Sequence, residues 1–136
     1  MQLFSCDLSR DEVNRLNALQ LAYIGDTVWE MIVRSRLMER KLTVNHMHRE
    51  CIRYVNAHAQ AGFLGLLAEQ LTEAEAEIVR RGRNAHARHP APRNQAPGDY
   101  AASTGFEALI GYLYLVGNEE RILTFAEMIF GGDEDG

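Results

Sequence analysis

The chain is poor in the residues that staple, break or anchor a protein. Its 136 residues include two cysteines, Cys6 and Cys51, with no CxxC spacing. That excludes a disulfide scaffold, leaves at most one bridge, and points to free thiols in a reducing compartment, the cytoplasm. Proline occurs three times, at 90, 92 and 97, so the rest of the chain carries no such helix breaker. No apolar run approaches the ~18–20 residues of a membrane span. The N-terminal MQLFSCDLSRDE lacks a basic segment followed by an apolar one, so no signal peptide and no membrane association are expected. The five histidines show no zinc-ligand spacing. A Gly-rich phosphate loop with its lysine is missing, and no segment alternates apolar and polar residues over the length of a strand.

What is present has helical spacing. Ser9 with Glu12 and Thr72 with Glu75 form capping boxes, and Thr43 is a further cap. After Ser9, Leu16, Leu19, Tyr23 and Ile24 share a face, and the stripe resumes beyond Gly25-Asp26 with Val28, Trp29, Ile32, Val33 and Leu37. One bent helix or two abutting helices fit this run. A helix from Thr43 carries Met47, Cys51, Ile52, Val55 and Ala59, with a break expected near Gly62. A Pro-rich loop spans roughly 86–99, Thr104 with Glu107 has capping-box spacing, and a helix then runs to about Val116 and stops at Gly117 or Asn118. A last helix covers about 119–129. The expectation is one all-α domain over 1–136, a bundle of six or seven helices, with a disordered tail from about residue 130.

Net charge is −5, which argues against nucleic acid, but its distribution argues for it. Between Arg80 and Tyr100 stand Arg80, Arg81, Arg83, Arg88 and Arg93 against Asp99 alone. A basic island in an acidic chain fits a polyanionic partner, and it also fits a solvated loop.

Two acids stand in apolar company. Asp26 lies in Leu21–Trp29 and Glu107 in Phe106–Leu115, each the only charge of its stretch. Burying an unpaired carboxylate is costly or forces its protonation. A divalent cation such as Mg²⁺ removes that cost and also accepts phosphate oxygens. Asp26 equally fits an ordinary N-cap, and Glu107 the reciprocal member of a capping box. Glu30, one turn after Asp26, is a further candidate around the cation. Gly25 and Gly111 sit inside helical runs, where glycine is unfavourable unless something approaches closely.

Tyr23-Ile24-Gly25-Asp26-Thr27-Val28 and Phe106-Glu107-Ala108-Leu109-Ile110-Gly111-Tyr112-Leu113-Tyr114-Leu115 resemble the two acidic motifs of the ribonuclease III catalytic-domain family. Arg53–Ala61, Arg80–Ala85 and the short length are similar to its Mini-ribonuclease III group, which lacks a double-stranded-RNA-binding domain. The resemblance runs from about Leu16 to Leu123. It implies an all-α homodimer that uses Mg²⁺, or Mn²⁺, to cleave both strands of an RNA duplex, leaving 5′ phosphates. It further implies maturation of the 23S ribosomal RNA precursor, with a ribosomal protein as partner. By motif position Asp26 and Glu107 are the metal-binding catalytic acids. Three acids of the full-length enzymes are replaced here by Leu19, Ala22 and Thr104; the mini-enzymes share that reduction. The basic island then offers Arg80, Arg81, Arg83, Arg88 and Asn84 as RNA contacts, and Trp29, Tyr112 and Tyr114, flanking the acidic motifs, are dimer-interface or plain core residues. The rival readings are a catalytically silent double-stranded-RNA-binding module of the same fold and a helical interaction module without RNA.

Overall fold

Helix starts in this chain are set by short polar side chains. In the computed structural model, which describes residues 6–85 and 96–134, the Ser9 hydroxyl accepts the Glu12 amide while the Glu12 carboxylate accepts the Ser9 amide, opening α1 (Arg10–Asn14). The same reciprocal pairing joins Asn17 and Gln20 ahead of α2 (Ala18–Met38). Thr43 caps α3 (Val44–Val55), and Asn56 caps α4 (Ala57–Leu67). A 3-10 turn (Ala68–Gln70) leads to the Thr72–Glu75 box and α5 (Glu73–Asn84). α6 (Pro97–Leu115) opens on proline, where the missing N–H is harmless, and α7 (Glu119–Glu134) follows. Seven α-helices and no strand occur among the described residues, the all-α bundle that the periodicity predicts.

Several boundaries differ from the sequence reading. α2 runs unbroken through Gly25-Asp26, so Asp26 is not an N-cap. Thr104 and Glu107 lie deep inside α6, and the Thr104 hydroxyl donates to the Tyr100 carbonyl at 3.1 Å. Capping-box spacing also arises within a helix, and the proline at 97 is the truer start signal. The α3–α4 break falls at Asn56, whose amide donates to Ile52 O and accepts from Ala59 N, while α4 passes straight through Gly62. α7 continues to Glu134, with Ile129 and Phe130 buried, where a disordered tail from about residue 130 was expected. Arg88 and Arg93 lie outside the described residues.

α6 is the central element. It buries residues on every face, as a helix enclosed by others must. It packs most extensively on α2, then on α5 and α4. Trp29 of α2 anchors the core: its ring meets Phe106 edge-on at 5.1 Å and stacks on Phe130 at 5.7 Å, and its indole N–H donates to Tyr54 O at 2.8 Å. Trp29 and Tyr112 are thus core residues of their own chain.

One buried ion pair ties α5 to α7. The Arg121 guanidinium forks onto both oxygens of Glu75 at 2.8 and 2.9 Å, also donates to Gln70 O, and lies over the Phe125 ring. Burial pushes the Glu75 carboxyl up, but the bonds from Arg121 and Thr72 outweigh it and hold it below the usual carboxylate range. Stability from this pair is therefore present above the unfolded value near 4.5 and is lost as pH falls through the lower folded value. Arg121→Ala, which strands a buried carboxylate, is expected to cost about 3 kcal/mol at pH 7 and less in acid, as read by urea denaturation at the two pH values.

Candidate active site

The two apolar-context acids meet because two glycines let their helices touch. A Cβ placed on Gly25 would lie 1.7 Å from the Glu107 carbonyl oxygen, and one on Gly111 would lie 1.9 Å from the Leu21 carbonyl oxygen. No side chain fits there, so α2 and α6 cross backbone to backbone. Asp26, the neighbour of Gly25, is exposed, and Glu107 is half-buried beside it. Their carboxyls come within hydrogen-bonding reach.

The electrostatics follow from that juxtaposition. Burial first, then the hydrogen bond and the negative charge of Asp26, push the Glu107 carboxyl up to about 9 from its ordinary 4.5, against the pull of the Ser103 hydroxyl. Two carboxyls in one partly dry place either share a proton or share a cation. Their oxygen donors suit a hard divalent ion such as Mg²⁺ or Mn²⁺, with waters completing the shell. Among the described residues no cluster of three or more His, Cys, Asp or Glu could hold a metal. Glu30 does not join the pair; it bonds Arg34 at 3.6 Å, half-exposed.

The arginines divide in their surroundings. Arg80 is exposed and paired with Glu77 of its own helix. Arg81 is half-buried and donates to Leu16 O at 2.8 Å, tethering α5 to the segment before α2. Arg83 and Asn84 are exposed at the end of α5. The Arg83 stem passes Gly105, where a Cβ would sit 3.5 Å from Arg83 Cγ, and Gly105 is two residues before Glu107. A second glycine crossing brings α5 so close: a Cβ on Gly82 would be 2.6 Å from Gly105 Cα.

Sequence reasoning missed two polar residues behind the acids, Gln60 of α4 and Ser103 of α6, both buried and hydrogen-bonded to each other at 2.5 Å. A polar residue facing inward from an otherwise apolar stripe was the available signal. The histidines are dispersed: His46 pairs with Glu50 at 3.5 Å and His58 with Asp99 at 3.0 Å. Cys6 and Cys51 are free. No helix among the described residues is long and apolar enough to cross a membrane.

An all-α bundle that brings an aspartate and a glutamate together at a glycine helix crossing has relatives among known proteins. A model of the Ribonuclease III domain matches residues 19–118. A crystal structure from Fusobacterium nucleatum superposes with a TM-score of 0.82 at 26% identity, covering 89% of this chain and 97% of that one. Among curated relatives, the Mini-ribonuclease 3 of Symbiobacterium thermophilum is 56% identical over 79% of this chain and 82% of its own length. That of Brevibacillus brevis is 44% identical over 91% and 92%. The chain belongs to the ribonuclease III domain family, in its Mini-ribonuclease 3 branch, and is a ribonuclease of that family.

Proposed function

We propose that this protein is a divalent-metal-dependent endoribonuclease that cuts double-stranded RNA, with Asp26 and Glu107 as the acids that hold the cation. The observation that carries the reading is the Asp26–Glu107 pair itself, a half-buried carboxyl pushed up to about 9 beside a second acid. When bound, the cation neutralises both acids and supplies an acidified water and a counter-charge for the phosphodiester. Mg²⁺ suits this donor set, and Mn²⁺ fits as well. Asp26, exposed at the surface, meets the substrate side, while Glu107 stands half-buried on α6. Products carry 5′ phosphates.

The partner is an RNA duplex, read through its phosphates and 2′-hydroxyls. Arg83 suits that role by its exposure and its nearness to Gly105, and Asn84 by its exposure next to it. Arg80 joins them on exchanging Glu77 for a phosphate, and Arg88 extends the same basic segment. Arg81, bonded to Leu16 O, contributes its charge from a fixed position. Arg83→Ala is therefore expected to lower duplex affinity and reduce the salt slope by about one, while Arg81→Ala also lowers thermal stability. Gel shifts over a salt series, with melting curves, separate the two.

A homodimer fits two cuts in antiparallel strands. Tyr23 is 84% exposed and Met31 57%, spaced eight apart on α2 in the row beside Asp26, an apolar edge that a second copy would cover. The physiological substrate is the 23S ribosomal RNA precursor, presented with a ribosomal protein in the cytoplasm. The test is cleavage of an end-labelled RNA duplex at low salt with Mg²⁺ by wild type, by wild type with EDTA, and by Asp26→Asn. Cutting in the first lane alone is expected. Intact RNA in every lane, with a retained gel shift, would replace the nuclease by a silent duplex-binding module.

A further inference from the structure

Gln60 is 1% exposed on α4, and its amide nitrogen Nε2 has no hydrogen-bond partner among the described residues. An orphaned buried N–H is costly, and an apolar side chain of similar shape would serve packing better. The other end of the amide, Oε1, accepts the Ser103 hydroxyl at 2.5 Å. Ser103 is 6% exposed and sits on α6 one turn before Glu107, on the same helix face, and its hydroxyl pulls against the rise of that carboxyl. The three groups form a row from α4 through α6 to the acid pair.

A serine hydroxyl has a single proton to donate. While that proton is on Gln60 Oε1 it is not on Glu107. Turning the Gln60 amide end over end exchanges Oε1 and Nε2 within the same volume. The orphaned Nε2 then donates to Ser103 Oγ, and the Ser103 proton is free for the Glu107 carboxylate. The orphan is satisfied, and the cost moves to a carbonyl oxygen, which tolerates the lack of a partner better than an N–H does.

We propose that Gln60 and Ser103 are positioning residues that orient the Glu107 carboxylate toward the cation. The proposal rests on the cation-holding role given to Glu107 above. It assigns this site the supporting layer that carboxylate ligands generally need, since a ligand free to rotate holds a metal weakly. With two acids holding the cation, the orientation of each matters more.

The test measures Mn²⁺ affinity of the RNA-free protein by electron paramagnetic resonance titration, duplex-cleavage kcat, and cation-free melting temperature. Gln60→Leu is expected to melt at or above the wild-type temperature, because it removes a buried amide that leaves one end unpaired in either orientation. It is expected to bind Mn²⁺ about tenfold more weakly and to lose about tenfold in kcat. Ser103→Ala should move both in the same direction, and Ser103→Thr, which keeps a hydroxyl, should recover most of the loss. A purely structural role would shift the melting temperature and leave Mn²⁺ affinity unchanged. Gln60→Leu with wild-type Mn²⁺ affinity and kcat overturns the proposal; if that variant does not fold, Ser103→Ala with wild-type values overturns it equally. A wild type that neither binds Mn²⁺ nor cuts duplex overturns the nuclease reading itself, and this proposal with it.

Discussion

Glu107→Gln is expected to lose about a thousandfold in duplex cleavage and, in the same preparation, to be more stable than wild type at pH 7 without divalent cation. The first effect follows from removing one of the two acids proposed to hold the cation. Several kcal/mol of transition-state stabilisation are at stake, and about 4 kcal/mol corresponds to a thousandfold. The second follows from the carboxyl pushed up to about 9 by burial and by Asp26. In the unfolded chain that group titrates near 4.5. Between these values the folded chain keeps a proton that the unfolded chain releases, so unfolding is favoured more as pH rises. The wild type is unpenalised below pH 4.5, and by pH 7 the loss is about 3 kcal/mol. Glutamine has no proton to lose and escapes it. Mg²⁺ should therefore raise the melting temperature of wild type and leave Glu107→Gln unmoved. Because the ion displaces the proton, its apparent affinity should rise with pH across the same window. Calorimetric melting at pH 5, 7 and 8, with and without Mg²⁺, reads all of this. A variant no more stable than wild type at pH 7 would show that the acid pair carries no such penalty.

The sign of that trade-off was readable before the structure, and its geometry was not. Asp26 and Glu107 were conspicuous because each is the lone charge of an apolar run, and the cost of burying a charge is independent of fold. That they meet is a tertiary fact, since about 80 residues separate them. The caps at Ser9, Thr43 and Thr72 were legible because capping is local chemistry. Thr104 with Glu107 shows the limit of the same rule: the spacing is right, yet both lie seven or more residues inside a helix that starts at Pro97. Tyr23 shows another limit. It fits the apolar stripe by period but stands exposed beside Asp26, because a helix face is turned by what packs on it. Arg81 read as a phosphate contact from charge alone, and its bond to Leu16 O could not be read from any local pattern. Gln60 and Ser103 show a third: a polar residue in an apolar stripe is a signal, but what it faces is set only when the neighbouring helices are in place.

Gly25→Ala is the substitution expected to do the most damage for a single added carbon. The new Cβ would fall 1.7 Å from the Glu107 carbonyl oxygen and 2.8 Å from Gly111 N, both backbone atoms that cannot rotate away. α2 and α6 would have to separate along the contact that forms the centre of the bundle. Overpacking a core costs about 1–3 kcal/mol where side chains can yield, and a backbone clash at the main helix crossing belongs at or above the top of that range. The damage also reaches the chemistry directly. Gly25 precedes Asp26, and the atom struck belongs to Glu107, so separating the helices separates the two acids. Cation-induced stabilisation and cleavage should therefore be lost even in the fraction that remains folded. Gly65→Ala is the control: it lies in α4, nothing stands within 4 Å of the new Cβ, and it should stabilise by about 0.5–1 kcal/mol. Chemical denaturation of both variants, with Mg²⁺ titrated into each, discriminates between general loss of helix packing and loss of the acid pair. A Gly25→Ala protein of wild-type stability that still cleaves would mean that the crossing can open without moving the site, and the glycine would then have no part in bringing Asp26 to Glu107.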